Sequence, residues 1–451
     1  MEHTICPLDG RYYEKVKELR NYFNEFSFFK YRLFVELTYF IELINVLPQL
    51  EPLTHNFQIY KKNILSIYVN FTIDDFHSIK KYEQETNHDV KALEYFIQDK
   101  FKQMELQDFI QFIHFGLTSQ DINTSANILS IKHAFQQTII PALNEIIHIL
   151  KHLVRSNKNT VMISFTHGQP AVPTTVGKEL LVFLYRIEEQ LSLLNDFTFT
   201  TKFGGAVGNF NSHRFAFPDI NWQQFADKYI ESIGLKREIY TTQISNYDNL
   251  CNFFNLFKNC NNIINDLNID SWLYISKGYF AQKFNSQHTG SSTMPHKINP
   301  IHFENSEGNI CIANSLIEGI TRKINISRLQ RDLTDSTILR NLGLIFGYSL
   351  LSYKSTFTGL DKIIVNIPVL KKDLNNNLIV LTEAIQTILR KHSYDNAFET
   401  IKDIVRVEYS NEDDIFDVIN NFINELPQHI QNDLDDLNIR KYIGYSSDLF
   451  V

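Results

Sequence analysis

The chain has 451 residues, of which 43% are apolar and 21% are charged, and its formal net charge is −8. This composition is typical of a globular protein, and the length predicts two or three domains rather than one hydrophobic core. The acidic balance, with no basic block, excludes the usual features of a nucleic-acid-binding protein.

The first twenty residues do not resemble a signal peptide, and no stretch of the chain resembles a membrane span. The first twenty residues include Glu2, Asp9 and Glu14 and lack the apolar core of a signal peptide. No uncharged apolar run is long enough to span a bilayer, and the four cysteines have neither metal-knuckle nor CxxC spacing. We therefore expect a cytoplasmic protein with no membrane contact, no disulfides and no metal site.

Two polar turns come early in the chain. The first, Pro-Leu-Asp-Gly, places Arg11 and Tyr12 directly before a helix. In the second, Thr86 or Asn87 is expected to cap a helix, and Asn87, His88 and Asp89 are suited to hold a polar or anionic ligand. A lone histidine near a helix cap is more often a structural hydrogen-bonding group than a catalytic one.

The run from Thr118 to Asn123 is a similar start to a long helix. Hydroxyl groups of Thr118 and Ser119 open a pattern that continues to about Arg155. Pro141 is predicted to kink this helix rather than end it, because apolar residues resume at helical spacing beyond it.

A third polar turn surrounds His167, which lies between Thr166 and Gly168-Gln-Pro and is expected between two helices, facing a cleft. The later Gly-rich stretch 204–209 is predicted to be a connector, since it lacks the Lys-Ser/Thr of a phosphate loop. Gln243 lies just before another long helix, predicted from about Asn249 to Phe280.

Residues 327–341 combine two arginines with a predicted helix start. Arg331 would precede the helix, and Ser336 and Arg340 would share one of its faces. A helix N-terminus flanked by guanidinium groups suits a phosphate. The alternative is a surface helix held by salt bridges.

The segment 290–300, Gly-Ser-Ser-Thr-Met-Pro-His-Lys-Ile-Asn-Pro, has the composition of a mobile catalytic loop between two helices. It contributes the hydroxyls of Ser291 and Ser292, the charge of Lys297 and the amide of Asn299. No alternating strand pattern is evident elsewhere, so the chain is predicted to be an all-α protein with a bundle of long helices.

Taken together and in order, these segments resemble the adenylosuccinate lyase family of the fumarase/aspartase superfamily, most of all the branch common in bacteria. The resemblance runs from about residue 7 to residue 360. One departure is Gln120, where an acidic residue is common in that branch.

The resemblance implies a three-domain fumarase/aspartase-like fold, with an N-terminal helical domain over residues 1–107, a central long-helix bundle over 108–360 and a C-terminal helical domain over 361–451. It implies a homotetramer whose active sites take residues from three chains, and no metal or organic cofactor. The implied reaction is a β-elimination that releases fumarate from adenylosuccinate, giving AMP, or from SAICAR, giving AICAR.

The resemblance also implies roles for individual residues. His167 would be the general acid and Ser291 the general base, with Ser292 the less favoured base, while His88 would orient or protonate within the site. Lys297 would stabilise the alkoxide and the dianionic intermediate. The residues expected to contact substrate are Arg11, Tyr12, Asn87, His88, Asp89, Thr118, Ser119, Gln243, Lys297, Asn299, Arg331, Ser336 and Arg340.

Three alternatives remain open from the sequence. The chain could be another fumarate-releasing lyase, such as argininosuccinate lyase or fumarase, since the loop at 290–300 is shared across the superfamily. It could be a crystallin-like structural protein, which the intact His167, Ser291 and Lys297 argue against. It could also be a helical scaffold that binds a nucleotide without turnover.

Overall fold

The computed structural model describes residues 4–283, 294, 297–406 and 412–449. Within them the chain is built almost entirely of helices joined by short turns, which confirms the all-α prediction. The α-helices are α1 Tyr13–Val16, α2 Glu25–Ile44, α3 Phe57–Val69, α4 Ile73–Thr86, α5 Asp89–Gln103, α6 Ser119–Ala134, α7 Ile140–Ser156, α8 Val176–Asn195, α9 Asn211–Ala216, α10 Trp222–Ser232, α11 Asp248–Ser276, α12 Ile301–Thr321, α13 Thr334–Leu339, α14 Leu342–Asp361, α15 Ile367–Asn376, α16 Thr382–Lys391, α17 Ala397–Val405, α18 Glu412–Glu425 and α19 Gln428–Leu434.

The chain divides into two compact units. The first comprises Met1–Leu143, Gln190–Asn262 and Gly308–Lys354, and the second comprises Asn144–Glu189, Ile263–Glu307 and Ser355–Val451. The predicted division into domains at residues 107 and 360 stays a prediction.

Helix α2 forms the core of the first unit. Its Leu33, Val35 and Leu37 are completely buried, and burial of each such side chain contributes about 1.5–3 kcal/mol. The helix begins at Asn24, whose side chain accepts a hydrogen bond from the backbone N–H of Ser27 at 2.7 Å. Because α2 packs along α6, the start of α6 is held on a rigid support.

Helices α6 and α7 are joined by a π-helical turn over Phe135–Ile139. Pro141, the second residue of α7, has no N–H to donate to the carbonyl four residues earlier. A π turn beside a proline is one of the ways in which a helix continues past such a break. The prediction that the helix extends beyond Pro141 is confirmed.

The second unit contains a β-hairpin, where the sequence pattern predicted helices joined by a polar turn. Strand β1 Val161–Thr166 pairs antiparallel with β2 Gln169–Thr175. Pro170 and Pro173 interrupt the alternating pattern of β2, which a two-stranded ribbon tolerates because each strand has a free edge. Below the hairpin, Ile163 packs in one hydrophobic cluster with Leu374, Leu381 and Ile439.

Two further sheets are very short. Thr200–Thr201 (β3) pairs parallel with Lys236–Arg237 (β4), and Phe280–Gln282 (β5) pairs antiparallel with Ile363–Val365 (β6).

Across the part of the chain that the structure describes, no single helix has both the length and the apolar character needed to cross a bilayer. One pair of helical segments, Tyr13–Ile44 and Pro48–Val69, meets both criteria when the two are taken together, but the pair is bent by 96°.

Candidate active site

The first turn of α6 is fixed by the carboxylate of Asp121. Its Oδ2 accepts a hydrogen bond from the backbone N–H of Thr118 at 2.9 Å, the carboxylate half of a capping box. Thr118 and Ser119, both predicted to contact substrate, therefore occupy a defined position at the start of the helix, where they are partly exposed.

The same carboxylate binds the Gly-rich connector. Asp121 Oδ1 accepts from Lys202 Nζ at 2.6 Å and from the N–H of Gly204 at 2.9 Å, and Oδ2 accepts from the N–H of Gly205 at 3.1 Å. Neither Asp121 nor Lys202 is exposed. Burial lowers the pKa of the Lys202 ammonium, and Asp121 beside it opposes that shift. The Gly-rich stretch, predicted to be a connector and not a phosphate loop, therefore binds an anionic group of the protein itself, the Asp121 carboxylate.

Three predicted substrate residues lie on segments that meet at this position. The side-chain amide of Gln120 contacts both Arg331 and Ser336. The N–H of Gln243 donates to the carbonyl of Gln330 at 3.3 Å. The segments around residues 118–121, 241–247 and 327–340 therefore form one polar surface of the first unit, which we call the α6 polar surface.

A buried phenol also connects two of these segments. Tyr247 Oη donates to Asp335 Oδ2 at 3.1 Å. Burial and then the neighbouring Asp335 raise the pKa of Tyr247 well above its ordinary value, so Tyr247 remains a neutral donor. This hydrogen bond fixes α13 against the turn that carries Gln243.

The helix expected to bind phosphate differs from the prediction. Helix α13 has only six residues, and Arg340 is its C-cap rather than a residue near its N-terminus. Asp332 Oδ1 accepts from the N–H of Thr334 at 2.9 Å, and Asp335 Oδ1 accepts from the N–H of Ser336 at 2.7 Å. These two N–H groups therefore bind carboxylates of the protein, and the anion site predicted at this helix N-terminus stays a prediction. The roles of Ser336 and Arg340 stay predictions.

His88, and not Thr86 or Asn87, is the N-cap of α5. Its Nδ1 accepts a hydrogen bond from the N–H of Lys91 at 3.1 Å, while Asn87 ends α4 in the left-handed conformation with φ of 51°. Because Nδ1 is an acceptor here, the neutral ring carries its proton on Nε2. His88 and Asn87 are exposed, so the cap leaves the Nε2–H of His88 available to a ligand.

Asp89 connects this turn to α6. Arg32 is buried and donates to Asp89 Oδ2 at 2.5 Å and, through Nε, to Asn123 Oδ1 at 2.8 Å. Burial alone would raise the pKa of Asp89, but Arg32 lowers it on balance. Asp89 is therefore ionised and already paired, which indicates a positioning role more than direct contact with an anionic substrate.

Arg11 and Tyr12 belong to a turn in which the N–H of Tyr12 donates to the carbonyl of Pro7 at 2.9 Å. The preceding Leu8 packs so closely on Gly347 of α14 that a Cβ there would lie 2.4 Å from a Leu8 methyl. Arg340 lies two residues before α14. The N-terminal turn and the end of α13 are therefore adjacent to the same helix, and both Arg11 and Arg340 are exposed.

In the second unit, His167 lies at the tip of the β-hairpin instead of between helices. His167 and Gly168 have φ values of 53° and 74°, and Thr166 pairs with Gln169. Positive φ at both central residues is the signature of a type I′ turn. The turn leaves the His167 side chain exposed, and the expectation that it faces a cleft stays a prediction.

Lys297 and Asn299 precede α12 and are exposed. Ser291 and Ser292, the two candidates for the base, lie outside the described residues.

Several well-placed residues were not found from the sequence. Glu36 on α2 accepts from His114 at 2.5 Å, and Tyr39 shares a 2.9 Å hydrogen bond with the buried His213 while donating to the carbonyl of Phe115. Burial lowers the pKa of His213 to about 4, so this ring is neutral. These contacts fix the loop before Thr118. None of the residues that make them has a spacing signal in the sequence; the nearest such signal is the capping-box spacing of Thr118 and Asp121.

Among the described residues, no three His, Cys, Asp or Glu side chains are grouped so that they could hold a metal ion. The α6 polar surface instead offers hydroxyl groups, amides and guanidinium groups. These groups suit a ligand that carries carboxylates or a phosphate.

Comparison with known protein families agrees with this chemistry. A family model described as lyase matches residues 10–313, and one described as adenylosuccinate lyase C-terminal matches residues 327–443. The adenylosuccinate lyase of Dictyostelium discoideum is 45% identical over 454 residues, covering 99% of this chain and 97% of the relative. That of Buchnera aphidicola subsp. Schizaphis graminum is 43% identical over 450 residues, covering 99% and 97%.

Solved structures with similar folds are more distant in sequence. A fumarate lyase from Mesorhizobium sp. BNC1 matches with a TM-score of 0.74 and 17% identity, covering 96% of each chain. A β-carboxy-cis,cis-muconate cycloisomerase from Acinetobacter calcoaceticus matches with a TM-score of 0.70 and 15% identity, again covering 96% of each. These likenesses concern the fold alone. With both family models and with relatives above 40% identity along 99% of its length, the chain belongs to the adenylosuccinate lyase family and is a lyase with the all-α fold of the fumarase/aspartase superfamily.

Proposed function

We propose that this chain cleaves adenylosuccinate to AMP and fumarate, and SAICAR to AICAR and fumarate. The observation that carries the proposal is the 45% identity to an adenylosuccinate lyase along 99% of the chain. The α6 polar surface supports it, because its hydroxyl, amide and guanidinium groups suit a substrate with two carboxylates and a phosphate.

The reaction is a β-elimination. A base removes a proton from the succinyl carbon next to a carboxylate, the carbon–nitrogen bond breaks, and an acid protonates the departing nitrogen. The carbanion formed on the way is stabilised by its carboxylate as a dianion, which positive charge and N–H donors favour. One carbon–carbon double bond forms, and the two products together contain every atom of the substrate.

His167 is proposed as the acid. An imidazole can carry a proton near neutral pH, and the ring is exposed at the tip of the hairpin. Ser291 is proposed as the base, with Ser292 less favoured, and Lys297 would stabilise both the serine alkoxide and the dianionic intermediate. His88, with its outward Nε2–H, would orient the substrate or donate a hydrogen bond to it.

Different residues would bind the carboxylates and the phosphate of the substrate. Thr118, Ser119, Lys297 and Asn299 would hold the succinyl carboxylates, with Gln243 contacting the same part of the substrate. The phosphate would be held by Arg11, Ser336 and Arg340, with Tyr12 and Arg331 nearby; Asn87 and Asp89 would line the site beside His88. No metal or organic cofactor is required for this chemistry.

We also propose that the chain acts in the cytoplasm as a homotetramer with shared active sites. Exposed apolar side chains on α11 and α12, including Trp272, Leu273 and Ile312, at 38%, 44% and 47% exposure, support self-association. Light scattering on the purified protein should give four times the monomer mass of 52.8 kDa. A monomer with full activity would contradict the shared sites.

The decisive experiment is a spectrophotometric assay with adenylosuccinate, with argininosuccinate and malate tested in parallel. Turnover of adenylosuccinate alone would support the proposal. Turnover of argininosuccinate or malate instead would favour another lyase of the superfamily. A folded protein that binds AMP but converts none of these substrates would be a scaffold, and one that neither binds nor converts them would be structural.

A further inference from the structure

The side chain of Gln120 makes an unusual contact for a residue on the first turn of a helix. It is only 2% exposed, and one end of its amide lies 3.1 Å from both Nη1 and Nη2 of Arg331. Guanidinium nitrogens can only donate, so the atom facing them is the amide oxygen, which accepts from both. The same end of the amide lies 3.5 Å from Ser336 Oγ.

This contact fixes the direction of Arg331 without cancelling its charge. Among the described residues, no carboxylate lies within ion-pair distance of Arg331, while the nearby Arg328 is paired with Asp332 at 2.9 Å. The buried Lys202 is close enough for Arg331 to lower its pKa further, but it is already neutralised by Asp121. Asp335, the other buried carboxylate of the segment, binds Tyr247 and the N–H of Ser336. A neutral acceptor thus leaves the positive charge of Arg331 without an ion-pair partner among the described residues.

We propose that Gln120 is a positioning residue that aims Arg331 at an anionic group of the substrate and preserves its positive charge for it. The inference rests on the proposed function, since it assigns Arg331 to that substrate. A carboxylate at position 120 would form a bidentate ion pair with Arg331 and remove that charge from the surface. Gln120 therefore sets how strongly the site attracts a polyanionic substrate.

The test compares Gln120→Glu with Gln120→Met in the full-length protein, after adenylosuccinate turnover by the wild type has been established. Gln120→Glu should raise KM by about five- to tenfold and leave kcat within about twofold, because the lost attraction acts on binding. It should also make KM less sensitive to ionic strength, since one uncompensated charge has gone. Gln120→Met, which is similar in length but has no acceptor for Arg331, should raise KM and keep the salt dependence of the wild type.

The decisive control is the Arg331→Met background. Because Gln120 is proposed to act through Arg331, adding Gln120→Glu to Arg331→Met should change KM by less than about twofold. Ser130→Ala, a buried polar change further along α6 whose hydroxyl contacts only the carbonyl of Asn127, should match the wild type. An unchanged KM in Gln120→Glu, or an equal rise in the Arg331→Met background, would overturn the proposal. If the wild type converts no adenylosuccinate, the proposed function is refuted. The effect of Gln120 on Arg331 is then tested by measuring AMP affinity in the same variants.

Discussion

The ammonium group of Lys202 donates to Asp121 Oδ1 at 2.6 Å, and neither side chain is exposed to solvent. The pair connects the first turn of α6 to the Gly-rich connector. Three backbone N–H groups, those of Thr118, Gly204 and Gly205, bind the same carboxylate. The first turn of α6 therefore depends on one buried ion pair and its hydrogen bonds.

Asp121→Asn should lower the free energy of unfolding by about 3–5 kcal/mol, because it leaves a buried ammonium without its counter-charge. Lys202→Met should lower the free energy of unfolding by less, because Asp121 keeps its three backbone N–H donors. Chemical denaturation of both variants measures the difference. Lys17→Met, which removes one partner of the exposed pair with Glu14, should leave the free energy of unfolding nearly unchanged. Equal losses for Asp121→Asn and Lys17→Met would contradict this account.

The sequence predicted the helices and their order well, because apolar residues recur at helical spacing along most of the chain. It failed where the local signal was ambiguous. The hairpin around His167 carries two prolines that conceal the strand pattern, and at the start of α5 the preferred cap residues Thr86 and Asn87 precede a histidine that acts as the cap.

The candidate site was only partly predictable for a different reason. Each polar turn was visible by itself, but the contacts that fix those turns join residues far apart in the chain, such as Gln120 with Arg331 and Arg32 with Asp89. Such pairs carry no spacing signal, since the fold and not the local sequence brings them together. Lys202 was overlooked for the same reason.

Two variants of His88 can distinguish its role as a helix cap from a role in the reaction. His88→Ala should lose about 1 kcal/mol of stability, because the N–H of Lys91 loses its acceptor. His88→Asn should restore the cap, since asparagine is among the best N-cap residues, but it should not restore turnover if the Nε2–H acts on the substrate. Denaturation midpoints and kcat for both variants decide this. Full activity in His88→Asn would limit the residue to capping.

Replacing His167 tests the proposed acid. His167→Asn is the suitable change because asparagine tolerates the positive φ of 53° at this position, so the turn should be preserved. Turnover should fall by about 10²- to 10⁴-fold, the usual contribution of a general acid, with an unchanged thermal midpoint. His148→Asn, at an exposed histidine of α7, should retain activity within about twofold. Near-normal turnover in His167→Asn would exclude it as the acid.

Arg340 is proposed to hold the phosphate, and Arg328 provides a matched control in the same segment. Arg340→Met should weaken AMP binding by about tenfold, the worth of a charge-assisted hydrogen bond. Arg328→Met removes the same charge, but that guanidinium already binds Asp332 and is 77% exposed, so AMP affinity should change by less than about twofold. Calorimetric titration with AMP measures both. Equal weakening in the two variants would indicate a general effect of charge and not a phosphate contact.

The loop before Thr118 should make stability depend on pH through His114. Burial opposes protonation of this ring, but Glu36, and behind it Glu94 and Asp121, raise its pKa above the ordinary value. The folded state therefore binds the proton more tightly than the unfolded chain. The stabilisation is fully present below the unfolded value of about 6.5 and is lost as the pH rises through the folded value.

His114→Asn tolerates the φ of 57° at this position and removes the titrating group. At pH 6 it should be less stable than the wild type by about 1.5–3 kcal/mol, the worth of a hydrogen bond to a charged group. The difference should narrow as the pH rises to 9, because the wild type loses this contribution while the variant does not. Glu36→Gln should likewise make the free energy of unfolding depend less on pH. Urea denaturation from pH 6 to pH 9 measures this free energy for each variant. Parallel plots of it against pH for the wild type and His114→Asn would show that the pair does not hold the loop through a charged histidine.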